Sequence, residues 1–129
     1  MKNAVKIILI LLPIFVLSSF NLNKGQDPVN WSECLKKYKS TWGDPCKKCQ
    51  FNEDIYQVYF KNVCDKKIDV LVSVQEKSEI WICYSRTLAP QDTFVAHACH
   101  GTGKYLYWVK EAGDNEIVFP TCGEVNDQY

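Results

Sequence analysis

From Ile55 onward, hydrophobic and polar residues alternate. Ile68, Val70, Val72 and Val74 interleave with Asp69, Leu71, Ser73 and Gln75, the two-residue period of a strand with one face on a core. Tyr56, Val58 and Phe60 repeat the pattern just before it. Further strands are predicted over Ile80–Tyr84, Thr93–Ala98, Tyr105–Lys110 and Glu116–Phe119. Turn-forming groups separate them: Asp65-Lys66-Lys67, Lys77-Ser78, Pro90-Gln91-Asp92, Gly101-Thr102-Gly103 and Gly113-Asp114-Asn115. Gly, Pro, Asn and Asp supply the backbone angles that turns need. About six short strands at this spacing predict a mainly β fold, an antiparallel β-sandwich or small barrel.

The period differs ahead of Ile55. Trp31, Cys34, Leu35, Tyr38 and Trp42 recur every three or four residues, which predicts an amphipathic helix over Asn30–Trp42. Lys36, Lys37 and Lys39 lie off its apolar face. Asn30 and Glu33 have capping-box spacing, Gly43 suits the residue beyond the last turn, and Pro45 prevents continuation. Asn30-Trp31-Ser32 is also a glycosylation sequon. No helical period recurs after Trp42, and Asn126–Tyr129 is expected to fray.

The N-terminal pattern is of a third kind. Lys2 and Lys6 precede the apolar run Ile7–Leu17, which Pro13 interrupts and which fades into Ser18 and Ser19. That is the build of a signal peptide, and it is short of the roughly 20 apolar residues of a spanning helix. An uncleaved anchor is the alternative. Small residues place a cut between Ser18 and Gln26. The expected division is a signal peptide at 1–25, a helix and cysteine-containing linker at 26–54, a β-domain at 55–124 and a frayed end at 125–129. About a hundred residues then remain, enough for one domain with one core.

All seven cysteines lie beyond the apolar run: Cys34, Cys46, Cys49, Cys64, Cys83, Cys99 and Cys122. Export and cysteine richness agree, because disulfides persist in oxidising compartments such as the periplasm or the extracellular space. An odd count leaves one thiol free or bridged to a second chain as a disulfide-linked dimer. Three bridges are expected. If the strands form a meander, strand direction pairs Cys64 with Cys83 and Cys99 with Cys122. Cys34, Cys46 and Cys49 would then supply the third bridge and the spare thiol. Lys2, Lys6 and Lys24 precede the cut and no acid does, so the electroneutral chain becomes mildly acidic on cleavage. It carries no electrostatic footprint for nucleic acid. Cys34–Lys67 is lysine-rich and the last third acidic, read as a solvated mixed surface.

Two groupings touch on chemistry. Cys46-Lys47-Lys48-Cys49 has the spacing of a redox dithiol, in which the second thiol resolves a mixed disulfide. It follows a predicted helix instead of opening one after a strand, so its context is not that of a thioredoxin-like enzyme. His97-Ala98-Cys99-His100 gathers both histidines, but a zinc site needs about four converging ligands. No metal and no cofactor is assigned. No nucleophile motif, phosphate loop or carboxylate pair is present. The remaining signal is aromatic: Trp81, Tyr84, Tyr105, Tyr107 and Trp108 concentrate in the β region, and exposed aromatics make efficient interface anchors.

Asn62-Val63-Cys64, Trp81-x-Cys83, Leu88-Ala89-Pro90 and Cys99-His100-Gly101-Thr102-Gly103-Lys104-Tyr105-x-Tyr107-Trp108 together resemble a loose pattern in small secreted bacterial domains of uncharacterised function. The resemblance covers 62–108. It implies a small exported β-domain and carries over no functional residue. The expected role is non-catalytic binding of a protein or glycan outside the cell or at its envelope, an enzyme inhibitor being one form. A thiol–disulfide protein using Cys46 and Cys49 is the alternative. Replacing Leu9 and Leu11 together by Arg is expected to retain the protein in the cytoplasm, since charge is costly in a membrane-entering segment. Cell fractionation checks this, and secreted protein should begin between Ser19 and Gln26.

Overall fold

In a computed structural model, residues 28–129 are described. The proposed signal peptide lies outside them. Among the described residues, no helix is long and apolar enough to cross a membrane. Among the described residues, six strands form two three-stranded antiparallel sheets, with no closed barrel. Sheet A has the order β1 (Leu35–Trp42), β2 (Tyr56–Asn62), β5 (Thr93–Ala98). Sheet B has the order β4 (Trp81–Leu88), β3 (Ile68–Glu76), β6 (Gly101–Glu111). The chain therefore crosses between sheets after β2, β4 and β5.

The core lies between the sheets. Tyr56, Val58, Phe60, Phe94, Ala96 and Ala98 of sheet A enclose it with Ile68, Val70, Val72, Val74 and Leu88 of sheet B. Each Val, Leu, Ile or Phe side chain among them contributes about 1.5–3 kcal/mol when taken fully from water. Asn62 is fully buried at the end of β2. Its amide donates to the carbonyls of Lys66 (2.8 Å) and Leu88 (3.1 Å) and accepts from the Cys64 N–H (3.0 Å). With these bonds made, its burial is tolerated, and one side chain ties three chain segments together.

The segment predicted as a helix is not one. Trp31–Cys34 forms a single 3-10 turn and Leu35–Trp42 is β1, paired with β2 from Leu35↔Asn62 to Trp42↔Tyr56. A register shift between Lys37 and Lys39 explains the misleading spacing. A bulge resets which face alternate residues take. Leu35 and Trp42 therefore face the core side while Tyr38 meets Tyr59, imitating a helical interval. The unpaired edge of β2 supplies the hydrogen bonds that favour the strand.

The C-terminal end differs too. Cys122–Gln128 is a helix, α1, so the end expected to fray is helical as far as Gln128 and its first turn replaces the last of the expected β-domain. Thr121 and Glu124 form a reciprocal capping box, and Asn126 grips Trp81, accepting from its N–H (2.7 Å) and donating to its carbonyl (3.1 Å). Val125 is completely buried. Glu116–Phe119 pairs with nothing and leads to α1 as irregular chain. Because α1 covers the outside of sheet B, Leu71, Ser73 and Gln75 are buried as well. β3 is thus buried on both faces, not half-buried as its alternation suggests.

Gly101-Thr102-Gly103, predicted as a turn, opens β6. The actual reversal is Cys99-His100, whose two N–H groups donate to Glu76 at 3.0 and 2.9 Å. A Cβ at Gly101 would collide with the Cβ of Tyr56. Gly101→Ala should therefore cost about 1–3 kcal/mol, the usual range for overpacking. Gly123→Ala, with nothing nearer than 3.9 Å, should be close to neutral. Thermal melts of the two variants check the contrast.

Candidate functional site

Three disulfides join Cys34 to Cys64, Cys49 to Cys99 and Cys83 to Cys122, and Cys46 is free. Three bridges and one spare thiol agree with the count expected from sequence. The pairing does not. Strand direction fails as a guide because the strands are not a meander. β1 returns beside β2, bringing Cys34 to Cys64. Cys83 and Cys122 meet on the outer side of sheet B, where α1 docks.

The five aromatic candidates do not form one surface. Trp81 is 5% exposed beneath α1, which removes it as a contact residue. Trp108, on the other face of β6 from Tyr105 and Tyr107, packs edge-on against Tyr129. Tyr105 and Tyr107 both pack on Phe60 and close the seam between β6 and β1, with Lys37 over the Tyr105 ring. Of this pair, Tyr107 is 39% exposed. Exposed Trp42 lies farther along the seam, against Gly103 and Tyr56. Tyr84 sits on the opposite side of the molecule.

Tyr84 reaches from β4 across to β5. Its hydroxyl donates to the His97 carbonyl at 2.7 Å and lies 3.3 Å from His97 Nδ1. With its proton spent on the carbonyl, the hydroxyl can only accept from Nδ1–H, leaving Nε2 as the basic nitrogen. Burial pushes Tyr84 up to about 12. Burial, aided by the Lys48 charge, holds His97 below its ordinary 6.5 despite an opposing pull from Glu76.

Around this pair lies an open groove of ≈ 340 Å³, lined by Cys46, Lys47, Lys48, Arg86, Val95 and His97 among others. Its wall is the loop between β1 and β2. That loop is fixed near its ends by Gly43 N–H to Ile55 O (2.8 Å), Gln57 Nε2 to Asp44 O (3.3 Å) and the Lys77–Asp54 ion pair (2.8 Å). The Cys49–Cys99 bridge holds its middle. Cys46 Sγ, Cys49 Sγ and a His97 ring nitrogen lie within 4.8 Å of one another. The two sequence groupings thus converge, although His100 stays outside the cluster. Because Cys49 is bridged it offers no thiolate, and two donors remain where zinc takes about four.

The groove continues onto the outer face of sheet A. β1, β2 and β5 contain Lys36, Lys37, Lys39 and Lys61 and not one carboxylate side chain. Lys36 and Lys61 are directly opposite across the two strands. Lys37 faces the inner side, over the Tyr105 ring, whereas exposed Tyr38, half-buried Tyr59 and exposed Val95 share the outer face with Lys36 and Lys61, and Lys39 lies over the Tyr59 ring. Sequence reading noted the lysine-rich stretch but missed its segregation onto one sheet. The absence of acids from three strand segments was the available signal. No family model, curated protein or solved structure matches the chain.

The unfolded chain takes up a proton on His97 more readily than the folded one does. Stability from this group is therefore complete above pH 6.5 and is lost as pH falls through the lower folded value. Melting temperature should decline as pH drops from about 7.5 to about 5, and His97→Gln should flatten that decline.

Proposed function

We propose that this is an exported, non-catalytic binding domain that takes an acidic glycan on the open face of sheet A and its adjoining groove. The carrying observation is the segregation of charge: three neighbouring strands carry four lysines, all on β1 and β2, and no acid. Like charges directly opposite on paired strands are destabilising. Lys36 facing Lys61 therefore stores repulsion that an anion would relieve, and Lys47, Lys48 and Arg86 add cations along the groove. α1 covers part of sheet B's outer face, and the β1–β2 loop covers the Gln57 end of sheet A's, whereas the end with Lys36 and Lys61 is open. The groove presents cations together with the Tyr84 ring and the His97 imidazole, suited to carboxylate or sulfate groups on a sugar chain. Three intramolecular bridges and the apolar N-terminal run support export, and the resemblance to small secreted bacterial domains agrees with it.

Titration with polygalacturonate or chondroitin sulfate at low ionic strength should show binding that weakens with added salt. Neutral dextran should not bind. The Lys36→Glu/Lys61→Glu double variant should lose at least about tenfold in affinity, or about 1.4 kcal/mol. Failure of both acidic glycans to bind, or equal binding by the double variant, would sink this reading.

A further inference from the structure

The spare thiol sits beside a disulfide and an imidazole. We propose that Cys46, Cys49 and Cys99 form a thiol–disulfide exchange site, in which Cys46 attacks Cys49 and the Cys49–Cys99 bridge gives way to Cys46–Cys49. The S–S bond between Cys46 and Cys49 forms as that between Cys49 and Cys99 breaks. The electron pair of the broken bond stays on Cys99. The proton given up by Cys46 passes to the His97 imidazole and ends on the Cys99 sulfur. One bridge and one thiol stand on each side, so the step is an isomerisation that needs no oxidant.

Three observations carry it. The attacking and attacked sulfurs are already within 4.8 Å, with a His97 ring nitrogen at the same range from both. Cys46–Cys49 is also a hydrogen-bonded turn, the Cys49 N–H donating to the Cys46 carbonyl at 3.0 Å. The ends of a β-turn lie under about 7 Å apart, which overlaps the Cα separation a disulfide spans, about 4.4–6.8 Å. The alternative bridge therefore needs little backbone movement. The leaving side is anchored, because Glu76 holds the Cys99 and His100 N–H groups. Exchange would free the Cys46–Cys49 turn from β5 and so release one wall of the groove. The exchange follows from the sulfur and imidazole positions alone, whether or not sheet A takes a glycan.

The test uses the intact protein. Incubation at mildly alkaline pH, acid quenching, alkylation with N-ethylmaleimide and non-reducing peptide mapping should reveal label on Cys46 and on Cys99. A Cys46–Cys49 linked peptide should grow with the Cys99 label. Cys46→Ser should show no label on Cys99, and His97→Gln should slow the exchange. Cys99→Ser should fold with Cys34–Cys64 and Cys83–Cys122 intact and with no alkylatable thiol, its two remaining cysteines having bridged. Wild-type protein labelled on Cys46 alone at every time, or two free thiols in folded Cys99→Ser, would overturn the proposal.

Discussion

The packing of β3 against sheet A is the contact on which the rest depends. Val70, Val72 and Val74 are at most 1% exposed, as are Val58, Phe60 and Ala96 across from them. No strand is shared between the sheets, so backbone hydrogen bonds stabilise each sheet but do not join them. Apolar burial does that, helped by Asn62 at one end and by the two-residue reversal after β5 at the other. Burying β3 on its second face then creates a need for cover, which α1 meets through Val125 and the Cys83–Cys122 bridge. Loss of a native bridge from a small secreted domain typically costs about 2–5 kcal/mol, a large share of ordinary stability.

The two sheets differ in how they meet solvent. Sheet B has its outer side partly roofed by α1 and carries both signs of charge, as Asp69, Glu76 and Glu111 with Arg86, Lys104 and Lys110. Sheet A is open at the end with Lys36 and Lys61 and one-signed. Its bulge at Tyr38 also roughens an edge strand that would otherwise be free to pair with another chain. Charge on such an edge serves the same end, so the lysines of β1 protect the edge.

Much of the fold was legible in local pattern. β2, β3 and β5 follow the alternation of Tyr56 to Phe60, Ile68 to Gln75 and Thr93 to Ala98 almost residue for residue. Legibility failed where a tertiary partner decided the outcome. The bulge in β1 mimicked a helical period. α1 is short and has only Val125 as a buried anchor, too few apolar positions to show a period, although Thr121 and Glu124 have the spacing of a capping box. The reversal at Cys99-His100 depends on Glu76, more than twenty residues away in sequence. The site was half legible. Cys46, Cys49 and His97 stood out by type, but their meeting depends on the loop folding back over β5, which no spacing reveals. Disulfide pairing was illegible for the same reason, since it follows strand order across two sheets.

The position of α1 bears on the order in which the fold can be completed. Cys122 and Val125 come after every strand, yet they complete the cover of β3, which forms early in the sequence. A nascent chain therefore emerges with its central strand lacking a roof until the last segment arrives. The Cys83–Cys122 bond is the last of the three that chain order allows, so completion of the fold waits on one short helix that follows every strand.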